Sequence, residues 1–443
     1  MGQLKLHWVF GMALIVAAAV VFLLAGWAPS APADAPVQYQ FSILHAFVSG
    51  SVDDGFVPSG QLVFDSKGNL YGTTHSGGTY GDGTVFELSP GAGGQWNETL
   101  LYDFCSLANC ADGDYPNGLV MDAAGNFYGT TMYGGNISQC LPNGCGTVFE
   151  ISPGSNGQWT ESTIWTFCSL PNCADGGGPS SPPTLGPGGV LFGMGGDNAF
   201  ELVPDSGGWA FNLLYTFCNL PNCPDGKSPS GPLVRDARGN LYGEAYYGGI
   251  TGGGCQTGCG VVFALHPQSS GQWEEVVLYA FDTNGPDAAA GPKGGLAIHE
   301  DGLYGTTEGG GGEGCDVGCG AVFELTRGSG KTVDEQIIHA FGANEAGGIA
   351  PITGVMFNKR GDLFGVTGEG GNDGDGIVYG MKPQGNGKWA FAVLHSFIGS
   401  DGVDPDDTLT TDSQGNLYGT TFAGGPNGGG VVFELSPTTQ TSK

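Results

Sequence analysis

Basic residues are scarce in this chain. Lys and Arg together number 13 against 43 Asp and Glu, a formal net charge of −30 over 443 residues. A surface of that sign repels phosphate backbones and anionic bilayers, which excludes nucleic acid as a partner. Catalytic signatures are missing too. G-x-S-x-G, H-E-x-x-H and a P-loop do not occur, and the seven histidines assemble into no Ser-His-Asp or Cys-His set. Long apolar runs are absent after the first thirty residues, so no later segment reads as a membrane-crossing helix. Charged residues make up only 13%, but disorder is excluded by 25 Phe, 15 Tyr and 8 Trp, which an unfolded chain cannot bury.

What is present begins with a targeting segment. Lys5 precedes an apolar run from Trp8 to Trp27, and Ala31-Pro32-Ala33 has the small-x-small form of a cleavage site. Residues 1–33 therefore read as a signal peptide or, uncut, an N-terminal membrane anchor, and 34–38 as a linker. Either reading places the remainder outside the cytoplasm, secreted, on the cell surface or in a periplasm, and leaves this segment as the sole link to a membrane. The twelve cysteines agree with export. They form six close pairs: Cys105/Cys110, Cys140/Cys145, Cys168/Cys173, Cys218/Cys223, Cys255/Cys259 and Cys315/Cys319. In an oxidising compartment C-x4-C and C-x3-C read as short-loop disulfides. Zinc would want C-x2-C or nearby histidines, and neither accompanies these pairs. Exchange of partners between adjacent loops stays open.

Glycine is abundant, at 86 residues, and much of it is periodic. GNLYGTT at 68–74 returns at 415–421, with variants between. The motif aromatic falls at Tyr71, Tyr128, Phe192, Tyr242, Tyr304, Phe364 and Tyr418. Each copy is followed by a GTVFEL-like run (83–88 is the first) and then an LLYDF-like run (100–104), and is preceded by a QLVFD-like run (61–65). Four short runs rich in Val, Leu, Phe and Tyr, broken by Asp, Asn, Gly, Ser and Pro, are strands and tight turns. Seven such units predict an all-β, seven-bladed β-propeller of four-stranded antiparallel blades. FSILHAF at 41–47 copies the last run of a unit but precedes the first unit, and the last unit lacks that run. The strand 39–47 is expected to complete the last blade, so that the propeller spans 39–437 and a tail 438–443 follows. The motif itself is architecture: its Leu and Tyr should project to opposite faces, each against a neighbouring blade.

The combined pattern GNLYGTT…GG…GTVFEL…W…LYxF resembles the repeat of the choice-of-anchor tandem repeat GloVer-containing proteins over essentially everything after residue 38. The resemblance implies an exported bacterial repeat protein with no established activity. Unit three, PTLGPGGVLFGMGGDNAFEL at 183–202, departs from the pattern, which calls the regularity of that blade into question.

Loops between strands two and three and loops between blades should share one rim. That rim then carries every cysteine and many acids, while most basic residues fall on the other. Five of the crossovers carry D-G-x-x-P, contributing Asp54, Asp112, Asp175, Asp225 and Asp401. One reading is a ring of carboxylates at the channel mouth, for which Ca²⁺ is the fitting cation; the other is turn capping of nearby amides. No other cofactor is implied. Asp112, Asp114, Tyr115, Tyr133, Tyr246 and Tyr247 form the candidate ligand-binding set, since rings beside carboxylates hold sugars by stacking and hydrogen bonding. The expected function is an extracellular binding or adhesion module for a glycan or protein. A structural surface or matrix component, and a carbohydrate-active hydrolase or lyase, are the alternatives.

Overall fold

The computed structural model describes residues 38–155, 157–251, 255–282, 289–311, 315, 318–327, 333–342 and 345–438. The expected signal or anchor segment, the linker up to residue 37 and the tail beyond 438 lie outside the described residues. Among the described residues there is no α-helix, only strands and short 3-10 turns. The strands form seven antiparallel sheets of four positions each, in chain order in six of them. In blade 1 these are Gly55–Phe64, Leu70–Gly77, Thr84–Pro90 and Trp96–Asp103. Blade 3 keeps the full pattern, with Thr184–Leu185, Leu191–Gly195, Asn198–Asp205 and Gly208–Thr216, despite its divergent sequence. In blade 5 the first position is split between Ala289–Pro292 and Ala297–His299.

The ring closes as the orphan run predicts. Tyr39–Val48 pairs antiparallel with Gly428–Pro437, matching Phe41 to Leu435 and Ile43 to Phe433. Closure removes the open edge that an incomplete last sheet would leave.

The repeated heptapeptide has a local cause for each letter. Asp65 opens the first turn by accepting the amides of Lys67 and Asn69 at 2.8 and 2.9 Å, the Asn69 side-chain amide at 3.1 Å and the Tyr71 hydroxyl at 3.3 Å. Asp122, Asp236 and Asp412 repeat this set. Gly68 supplies the φ of +88° that the turn needs. Gly72 is required for space, since a Cβ there would lie 2.6 Å from the Phe86 ring. Leu70 and Tyr71 are both buried, on opposite faces of the blade, in contact clusters with different neighbours.

Blade-to-blade packing is built on one aromatic pair used seven times. A Phe at the end of the fourth strand, or just past it, meets an aromatic ring of the next blade's third strand, mostly edge to face. The pairs are Phe47–Phe86, Phe104–Phe149, Phe167–Phe200, Phe217–Phe263, Phe281–Phe323, Phe341–Tyr379 and Phe397–Phe433, with centroids 4.5 to 5.4 Å apart. Edge contacts of this kind add about 0.5–1.5 kcal/mol each beyond buried area.

Candidate functional site at the axial mouth

The loops do gather on one rim. Within a blade, the loop between strands two and three is hydrogen-bonded to the crossover loop that enters that blade. Gly78 donates to the Asp54 carbonyl at 2.9 Å, Gly135 to Cys110 at 2.8 Å and Gly249 to Cys223 at 2.9 Å. All twelve cysteines belong to these two loop types. Their connectivity is local: Cys105–Cys110, Cys140–Cys145, Cys168–Cys173, Cys218–Cys223, Cys255–Cys259 and Cys315–Cys319. Neighbouring loops nevertheless approach, with Cys140 Sγ 4.0 Å from Cys168 Sγ.

Each blade carries, in its first strand or just ahead of it, a device that sequence reading caught only in part. The residue before a proline has positive φ in every blade: Val57, Tyr115, Gly178, Ser228, Gly291, Ala350 and Asp404. In blades 2 to 7 its amide donates to the preceding blade. Gly178, Gly291 and Ala350 donate to the carbonyls of Cys145, Cys259 and Cys319 at 2.8 to 3.0 Å. Three of the disulfides therefore fix the acceptor of an interblade bond. The available signal was proline itself, since Pro292 and Pro351 hold the position in the two units that lack the Asp-Gly pair.

The five Asp-Gly carboxylates are placed in their own crossover loops, and no two share a donor. Asp54 accepts the amide of Val48, Asp112 those of Ser106 and Leu107, Asp175 those of Ser169 and Leu170, Asp225 that of Cys218, and Asp401 that of Ile398. Tyr102, Tyr215 and His395 add side-chain bonds to Asp112, Asp225 and Asp401. Asp112 and Asp175 are fully buried. This is the capping arrangement, at the outer end of the blades rather than around the channel.

The expected ligand set is split by the fold. Asp112 faces the crossover loop. Asp114, Tyr115 and Tyr133 stay together: Asp114 pairs in register with Tyr133, and the two tyrosine rings meet at 5.7 Å. Tyr246 and Tyr247 form a separate pair on blade 4 at 4.6 Å, where the Tyr246 hydroxyl donates to Glu308 at 2.7 Å. Sequence reading left out the partner that organises the first group. His75 lies flat on Tyr115 at 3.7 Å and donates from Nε2 to Asn117. Burial lowers the His75 imidazole to about 4, so it stacks as a neutral ring.

Tyr115 projects from the first strand of blade 2 toward the axis. Burial, then the charges of Tyr133, Asp406 of blade 7 and Asp114, raise its hydroxyl. Burial and Glu369 raise the Asp404 carboxyl, and Lys293 of blade 5 partly offsets the rise at Asp404 and Asp406. Electrostatically, then, the aromatic shelf of blade 2 is coupled to the carboxylates of blade 7, and these to Lys293 of blade 5. Burial and nearby Asp82 push Asp114 up to about 6, and burial with Asp407 and Asp404 raises Asp406 well above the ordinary range. Asp407 is structural: it accepts the Gly60 amide at 2.6 Å and the Thr420 hydroxyl at 2.7 Å. A shallow groove of about 700 Å³ on the outer wall, lined by Leu170, Glu201, Phe211 and Trp273 among others, contains none of these groups.

The repeat model described as the Gloeobacter/Verrucomicrobia repeat matches residues 35–249 and 312–443, more than half of the chain. The chain belongs to this repeat family. No functionally curated protein matches it. Among solved structures, this Gloeobacter/Verrucomicrobia repeat protein is similar to the extracellular domain of a hybrid two-component system from B. thetaiotaomicron, at 12% identity and a TM-score of 0.50. That match covers 90% of this chain but 40% of the other, so the repeat protein spans well under half of that relative. YCF48 from Cyanidioschyzon merolae is similar over 89% of this chain and 98% of its own, at 14% identity and a TM-score of 0.50. Both likenesses concern the propeller fold.

Proposed function

We propose that this protein is an exported, disulfide-stapled binding module that takes a glycan at the axial mouth of its loop-rich rim. The observation that carries the reading is the shelf of His75, Tyr115 and Tyr133 beside Asp114. Neutral stacked rings with an adjacent hydrogen-bonding carboxyl suit the apolar face and hydroxyl edge of a sugar ring. Tyr115 is held there by a left-handed backbone, φ +63°, a conformation that persists only where its surroundings enforce it. Six cystines agree with a location outside the reducing cytoplasm.

The test is a broad glycan array probed with the purified protein and with the Tyr115→Ala and Tyr133→Ala variants. Saturable binding to a defined sugar class, lost in both variants, is expected. An array blank for the wild type, or signals that both variants retain, would overturn the glycan assignment. Consumption of a bound sugar on prolonged incubation would instead favour the hydrolase reading.

A further inference from the structure

The outer seam between blades is built from one recurring pair of positions. A residue of one fourth strand faces, from the next fourth strand, the residue two places after that strand's first large apolar side chain. Two solutions recur around the ring. Rings stack on rings: Trp165 on Phe211 at 5.1 Å, His339 on Phe391 at 3.9 Å and His395 on Phe41 at 4.0 Å. Elsewhere a phenol meets a carboxylate, as where the Tyr279 hydroxyl donates to Glu335 at 3.4 Å. The closure seam follows neither. There an imidazole, His45, faces a carboxylate, Glu98. The other two histidines at this position have phenylalanine opposite.

The local geometry goes further than a mismatched pair. His45 Nε2 lies 3.4 Å from Asp54 Oδ1. One ligand atom each from His45, Asp54 and Glu98 falls within 4.8 Å of the others. Asp54 is oriented by the Val48 amide, which donates to Oδ2 at 3.1 Å and leaves Oδ1 turned to the imidazole. Glu98 Oε1 is buried and has no hydrogen-bond donor. Phe47 braces the His45 ring edge-on at 4.5 Å. The Asp54 side chain is 11% exposed and that of His45 20%, so solvent can reach the group from the imidazole side. Nitrogen from one imidazole and oxygen from two carboxylates, with an open side for water, is the donor set of a divalent transition metal. It is a poor set for Ca²⁺, which asks for six to eight oxygens.

We propose that His45, Asp54 and Glu98 form a Zn²⁺ site that pins the closing strand to the first blade. His45 and Asp54 flank the crossover that leaves strand Tyr39–Val48, and Glu98 stands on the outer strand of blade 1. The ion would therefore span the seam between the closing strand, which completes blade 7, and the outer strand of blade 1. Binding to the native state alone stabilises it by RT ln(1 + [Zn²⁺]/Kd).

A sister seam supplies the control. Blade 1 meets blade 2 with Tyr102, Asp112 and Glu161 in the equivalent places, a phenol replacing the imidazole beside the same two carboxylates. The His45→Tyr variant should thus fold and, in EDTA, melt as the wild type does. The full chain, stripped with EDTA and dialysed, is titrated with Zn²⁺ by calorimetry, melted with and without the metal, and loaded with Co²⁺ for its visible d–d bands. Expected are one saturable Zn²⁺ per chain, a raised Tm and a Co²⁺ spectrum of mixed nitrogen and oxygen ligation. His45→Tyr should lose all three, and Glu98→Gln should weaken binding at least about tenfold. No saturable binding in the wild type, or binding undiminished in both variants, overturns the site. So does a Ca²⁺-induced melting shift equal to that from Zn²⁺, which would remove the need for the nitrogen ligand.

Discussion

Phe341 meets Tyr379 edge to face with centroids 5.4 Å apart, and the phenolic oxygen that Tyr379 brings to this seam has no hydrogen-bond partner. Six of the seven seams place phenylalanine there. Tyr379 is fully buried, so its hydroxyl is desolvated without compensation. Tyr379→Phe removes that cost and restores the pattern of the other blades. Stability should rise by about 1 kcal/mol. A higher urea midpoint with an unchanged slope is the expected result.

Phe47 tests closure in the same currency of side-chain burial. It is fully buried and joins the N-terminal strand to Phe86 of blade 1. Phe47→Ala should destabilise by about 3–5 kcal/mol, as for other buried aromatic truncations. Phe281→Ala, at an ordinary seam, should carry a similar local cost. Deleting residues 39–48 is a harsher change, because it exposes the edge of strand Gly428–Pro437. That protein should self-associate on gel filtration, whereas Phe47→Ala should remain a folded monomer or dimer of the wild-type size.

The architecture was readable because its causes are local. Turn Asp, left-handed Gly and the burial of Leu and Tyr on opposite faces all act within seven residues, and the orphan FSILHAF strand needed only a count of runs. Blade 3 was doubted because its motif loses the Thr pair; Phe200 and Phe217 nevertheless keep its seams. The site was less legible. Asp112 and Asp114 stand two residues apart, yet Gly113 at φ +110° sends one to the crossover loop and the other into the strand. Nothing in the identity of Val57, Tyr115 or Asp404 announces a positive φ. Only placing the seven prolines in one column reveals it.

Val57 makes that hidden ring measurable. It is a β-branched residue at φ +59°, where Gly178 and Gly291 serve in blades 3 and 5. The left-handed region costs a non-glycine residue about 1–2 kcal/mol. Val57→Gly removes this, against about 0.5–1 kcal/mol of added chain entropy in the unfolded state. A net gain of up to about 1 kcal/mol is expected in chemical denaturation. Val57→Ala, which keeps the Cβ, should show none of it.

Glu244 contributes to the pH dependence of stability. It occupies the place held by Thr73, Thr130, Thr306 and Thr420 in other blades, and it is fully buried. Its Oε2 accepts the Gly295 amide at 3.0 Å, while Oε1 has no partner. Burial pushes the carboxyl from 4.5 up to about 8. A raised carboxyl binds its proton more tightly in the folded chain than in the unfolded one. Its contribution to stability is therefore present at low pH and is lost as pH rises from about 4.5 through about 8, after which it is constant. The loss is on the order of a few kcal/mol, since each pKa unit corresponds to about 1.4 kcal/mol. Glu244→Gln keeps an acceptor for Gly295 and cannot ionise. Its urea midpoint should thus fall less than that of the wild type between pH 5 and pH 8.5. Parallel profiles for the two proteins would show that Glu244 is ionised in the folded state at neutral pH.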